Sequence, residues 1–110
     1  MDYNKGWQIQ NNCFSKLVKN FKLVIAMGVI NEEMPVDYPF HIEKGSIGYV
    51  LIIYDIIELK KGEFLFDTLD NVEYFVDNYF VNCHNMVEII ANYNNYCISE
   101  DVINNKQHLS

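Results

Sequence analysis

IGYVLIIYDIIEL, residues 47–59, carries ten apolar side chains interrupted only by Gly48, Asp55 and Glu58. An element so loaded cannot face solvent on all sides, so the rest of the chain must pack around it. A buried helix capped by Ser46 and a long central strand both fit its length. Ile, Val and Tyr dominate, alanine is absent, and such residues suit a pleated surface better than a helical turn. Just upstream, Val36, Tyr38, Phe40 and Ile42 alternate with Asp37, Pro39, His41 and Glu43, the period-two pattern of a half-buried strand. Pro39 cannot donate to a ladder, which places that strand at an edge. Lys44-Gly45-Ser46 and Lys60-Lys61-Gly62 read as turns, and residues 63–67 as a third short strand. The expectation is a three-stranded antiparallel meander over 36–43, 47–59 and 63–67, with 47–59 in the centre.

Outward from the meander the periodicity becomes helical. Over 13–29, Phe14, Leu17, Val18, Phe21, Val24, Ile25 and Gly28 recur at steps of three and four, with Lys16, Lys19 and Lys22 across from them. Leu23 breaks the polar side. Asn11 or Asn12 can cap the start of this helix, and Pro35 lies beyond its end. Ahead of it, Trp7 and Ile9 can anchor a short extended segment. A second helix over 69–91 is capped by Thr68, and Leu69, Val72, Phe75, Val76, Tyr79, Phe80, Cys83, Val87 and Ile90 form its apolar stripe. The stripe stays in phase throughout, while Asn82–Asn85 offers a place for a break. Residues 92–96 read as loop, followed by a short turn from Ser99. The fold class is α+β: one domain, with the two long helices packed on one face of a small sheet.

Composition narrows the function classes. A chain of 110 residues, half of them hydrophobic and 15% aromatic, suits one folded core. No apolar run reaches membrane-spanning length, no signal peptide is visible, and three cysteines without CxxC spacing suggest reduced thiols and a cytoplasmic setting. The net charge is −7, and residues 32–110 hold 14 of the 15 acids. That balance argues against nucleic acid or an anionic membrane as direct ligand and favours a basic protein partner. The oligomeric state is left open. No phosphate-binding Gly loop, GxSxG or HExxH is present, and the Cys and His positions lack metal-ligand spacing, so neither catalysis, cofactor nor metal is expected.

The strongest constellation lies on the second helix. Asp70, Glu73 and Asp77 stand at i, i+3 and i+7, with Tyr74 among them and Asp67 just before. A plain solvated face is one reading. The other is an acidic docking surface, because no Lys shares that face and an aromatic anchor sits inside it. Glu58 and Glu63 join the patch if the 59–63 turn lies beside the helix start. Glu88 falls on the same side further along. Asp55, an acid among apolar neighbours, needs a partner such as Lys44 or Lys61. Cys83 and His84 diverge on a helix, and Cys13 and Cys83 read as core filler.

The segment GEFLFDTLDNVEYFVDNYF, residues 62–80, a short strand running into an acidic, aromatic helix, resembles the immunity proteins of bacterial contact-dependent and polymorphic toxin systems. The resemblance implies a stoichiometric inhibitor that binds a basic toxin domain, often a nuclease, and occludes its active site or a functional surface. The site residues it points to are Asp67, Asp70, Glu73, Tyr74, Asp77, Glu58 and Glu63. Three other readings remain: a nucleic-acid-mimicking phage inhibitor of a defence nuclease, a small enzyme using Asp55 or Cys83, and an oligomeric adaptor.

Overall fold

The computed structural model describes residues 6–10, 13–30 and 44–109. It is α+β, with five antiparallel strands in sequence order followed by two helices. The strands are β1 (Gln8–Gln10), β2 (Cys13–Val18), β3 (Phe21–Val29), β4 (Ile47–Asp55) and β5 (Lys60–Phe66). The helices are α1 (Leu69–Asn78) and α2 (Met86–Leu109), joined through a 3-10 turn at Phe80–Asn82.

The central run is a strand, and it pairs on both sides, with β3 along its whole length and with β5 from Tyr49 to Asp55. It stops at Asp55 rather than Leu59. Residues 56–59 form the turn expected at 60–62, and Lys60 already pairs with Asp55. The expected strand at 36–43 falls outside the described residues.

The largest correction concerns residues 13–29, which are not a helix but the hairpin β2–β3. Lys19-Asn20 makes its two-residue turn, with Lys19 at φ 55°. The alternation decides the matter physically. Phe21, Leu23 and Ile25 are buried while Lys22 between them is exposed. Leu23, the residue that spoiled the helical polar face, is 0% exposed. Val, Ile and Phe line a pleat here, as β-branched and aromatic side chains favour. Upstream, β1 takes up the segment around Ile9, and Trp7 is buried.

Both helices lie on one face of the sheet. Leu51 and Ile53 of β4 and Phe64 and Phe66 of β5 meet Val72, Phe75 and Val76 of α1 and Ile89 and Tyr96 of α2 in one core. Its centre is aromatic: the Phe75 ring stands within 5.5–5.8 Å, centroid to centroid, of Phe66, Tyr79, Tyr93 and Tyr96. The Tyr93 hydroxyl donates to the Leu65 carbonyl at 2.6 Å, so α2 covers part of the outer edge of β5. Gly62 permits the close approach of α2: a Cβ there would stand 2.9 Å from Met86 Sδ and from the Phe64 ring.

Thr68 caps α1 as expected, accepting from Asn71 N–H at 3.1 Å. The helical stretch 69–91 is interrupted rather than continuous, at the Asn-rich segment. Asn85 starts a new helix, its Oδ1 accepting from Glu88 N–H at 2.9 Å, while the Glu88 carboxylate accepts from His84 N–H at 2.6 Å. Residues 92–96 are not a loop but the middle of α2, because Tyr93 and Tyr96 turn their rings into the core.

Candidate functional site

At about 100° per residue, Asp70, Glu73, Tyr74 and Asp77 fall on one side of α1, and the buried Val72, Phe75 and Val76 on the other. Asp70, Tyr74 and Asp77 are exposed and Glu73 is half-buried. Asp67 sits ahead of the cap and accepts from Asn71 Nδ2 at 2.6 Å. Asp70 lies in the first turn, where negative charge complements the helix N-terminus. The Tyr74 ring leans toward Tyr79 and Tyr96, at 6.1 and 6.3 Å between centroids, so its position is fixed by packing. Glu73 Oε1 is enclosed with no hydrogen-bond partner among the described residues.

Glu58 and Glu63 do not join this group. The turn at 56–59 stands at the opposite end of β5 from α1, roughly 20 Å away for seven extended residues. Glu63 alternates with Phe64 and therefore faces away from the helices. Each is engaged locally instead, Glu58 with Lys60 and Glu63 with Lys61, both at 3.4 Å. Glu88 is likewise occupied at the start of α2, where the His84 backbone N–H holds its carboxyl below the usual range.

No family model, curated protein or solved structure matches the chain.

Asp55 is a turn pin rather than a lysine partner. It is 2% exposed, and its Oδ1 accepts from Asn20 Nδ2 at 3.1 Å and from the backbone N–H groups of Ile57 and Glu58 at 3.0 Å each. Ile56 N–H completes the link by donating to the Asn20 carbonyl at 3.0 Å. The Glu58 N–H lowers the Asp55 pKa most. Burial opposes it, and Asn20, the Ile57 N–H and the charge of Lys60 add to the lowering. Lys44 is at the other end of β4, and Lys61 is on the opposite face of β5.

A surface the sequence reading passed over surrounds this pin. Leu17, Tyr54, Ile56, Ile57 and Leu59 are all exposed at the turn end of the sheet. A groove of about 440 Å³ runs among Tyr54, Asp55, Ile56, Leu59, Lys60 and Lys61. The missed signal was Asp55 itself: an aspartate followed by free N–H groups marks a turn, which would have put Ile56, Ile57 and Leu59 at its tip.

Cys83 serves the core. It is buried, donates its Sγ–H to the Tyr79 carbonyl at 3.4 Å, and has its pKa raised by burial and then by Glu88. Among the described residues no group of three His, Cys, Asp or Glu could hold a metal, and no helix is long and apolar enough to cross a membrane.

Proposed function

We propose that the protein is a non-catalytic, stoichiometric inhibitor, an immunity protein, that neutralises a basic toxin domain, such as a nuclease, by docking the acidic face of α1. The observation that carries the reading is the placement of Asp70, Glu73 and Asp77 around a packed Tyr74 on one helix side with no lysine in α1. A fixed aromatic within like charges suits recognition of a cationic cleft: the charges steer encounter, and the ring buries area at little entropic cost. The patch is now four residues on α1 with Asp67 at its head, since Glu58 and Glu63 stand elsewhere. Among the described residues the acids form this local patch and no extended ridge, which favours this reading over the nucleic-acid mimic. The expected setting is the bacterial cytoplasm, where the toxin would act.

The test is titration of any basic toxin domain found encoded beside this gene. Its activity should fall to zero at one equivalent of the protein. Asp70→Lys with Asp77→Lys should weaken binding at low salt by about a hundredfold or more, with helical content retained and the melting temperature lowered by a few degrees through the lost first-turn charge. Glu73 is left untouched, because its enclosed oxygen ties it to the fold. Full inhibition by the double variant would sink this surface.

A further inference from the structure

The turn end of the sheet has a layered composition. At the tip stand Ile56, Ile57 and Leu59, the last two 75% and 88% exposed. Leu59 adopts φ 57°, a conformation a leucine rarely takes and one that gains nothing from burial within this chain. Behind the tip, the register sets Leu17, Lys22, Tyr54 and Lys61 side by side across four strands on the face away from the helices. Lys19 occupies the neighbouring turn, and Lys60 begins β5. Four of the chain's eight basic residues, Lys19, Lys22, Lys60 and Lys61, thus stand around one protruding apolar tip, which carries Glu58 between Ile57 and Leu59 and has Glu63 behind it. Lys60 pairs with Glu58 and Lys61 with Glu63, while Lys16, opposite Leu23 on the helix face, lies over the Trp7 ring at 5.6 Å.

We infer that this end docks on an anionic lipid bilayer, with Ile57 and Leu59 entering the headgroup–acyl boundary. The depths agree. One residue of strand is about 3.3 Å, so Tyr54, Lys22 and Lys61 stand at headgroup level when the tip is buried by 5–10 Å. That is where tyrosine rings and lysine ammoniums are favoured, the first straddling the interface and the second meeting lipid phosphates and carboxylates. A protruding tip needs no shaped receptor in a bilayer, whereas a protein partner would have to supply a matching cleft. The chain's negative total does not forbid this. Attraction to a charged surface fades within a Debye length, so the carboxylates of α1 and α2 count little here. Glu58 and Glu63 are offset by Lys60 and Lys61, the Asp55 charge is taken up by the N–H groups of its turn, and Lys19 and Lys22 are left to meet the lipid.

Co-sedimentation of the full chain with phosphatidylcholine vesicles, with and without phosphatidylserine, tests the inference. The protein should partition onto the serine-containing vesicles alone, and less as salt rises. Leu59→Asn is the decisive variant: asparagine accepts positive φ, so the fold should hold or gain stability while partitioning falls about tenfold or more. Lys22→Gln should reduce binding about fivefold. Asp70→Lys with Asp77→Lys, which disables the proposed inhibitor surface, should leave partitioning intact or raise it. No partitioning of the unmodified chain, partitioning that ignores Leu59→Asn, or capture of an acidic protein in place of vesicles overturns it.

Discussion

The helical layer and the turn end of the sheet are made of opposite materials. From residue 64 to the end of α2 at residue 109 the chain has Asp67, Asp70, Glu73, Asp77, Glu88, Glu100 and Asp101 against one lysine, Lys106, and two histidines, His84 and His108. At the turn end the exposed charges are mostly lysines, set around bare aliphatic side chains. A net charge of −7 is therefore an average over two surfaces that would attract different partners. Arguing from the total excludes anionic ligands. Arguing from the fold excludes them only on the α1 side. The two surfaces share one core, and the clearest experiments are those that remove the core, then one surface's support, then the other's.

Phe75→Ala should have the largest effect. The ring is fully buried and touches the aromatic side chains of β5, α1 and α2, so its loss removes contacts on both layers at once. A destabilisation of about 3–5 kcal/mol is expected in urea unfolding followed by circular dichroism. Fluorescence of Trp7, beside β2, should report the same midpoint. Two separated transitions would mean that the sheet's turn end folds without the helices, and the contrast between the layers would become one between independent units.

Asp55→Ala should act on the turn end alone. It removes the acceptor shared by Asn20, Ile57 and Glu58, so the two adjacent turns lose their tie. A drop of several degrees in Tm at neutral pH is expected, smaller than for Phe75→Ala, with inhibition through α1 retained. The pH dependence carries a definite sign. The folded-state pKa of Asp55 is depressed, so its contribution is complete above the ordinary aspartate range. It is lost as pH falls below that range, through the folded value. In acid the unmodified chain and the variant should converge in stability. A gap between them that persists at the lowest pH would show that the ionised carboxylate is not what holds the turns.

Much of this contrast was legible before folding, and the illegible parts have physical reasons. The Ile-, Val- and Tyr-rich strand from Ile47 to Asp55 and the Thr68 cap read directly, as did the acidic side of α1, because each depends on neighbours in sequence. Residues 13–29 misled because Phe14, Leu17, Val18, Phe21, Val24 and Ile25 satisfy a helical stripe as well as a hairpin does. The turn between the strands, Lys19-Asn20, lacks the glycine that usually announces one. Leu23 was the discriminating residue, apolar where a helix needed polarity. The assignment of Glu58 and Glu63 to the patch failed for a different reason. Their distance from α1 depends on where the preceding turn falls, and a shift of a few residues moves them to the far end of β5. Tyr93 and Tyr96 read as loop because asparagines surround them. Packing against Phe66 and Phe75 outweighs that local preference.

The smallest effect should come from Thr68→Ala, and it addresses the other layer. The hydroxyl satisfies the Asn71 N–H at the start of α1, an amide that otherwise has no partner within the helix. Its removal should cost about 1 kcal/mol. The loss should be local, because α1 has the acids and Tyr74 but no part of the lysine-ringed tip. Hydrogen exchange should therefore quicken at Asn71 and Val72 while the amides of β3 and β4 near Asp55 keep their protection. Affinity for a basic partner should fall modestly, since fraying disorders Asp70 first. Vesicle partitioning should not change. If the β3 and β4 amides lose protection together with α1, the helical layer and the turn end are energetically one surface, and a partner bound at either would be felt at both.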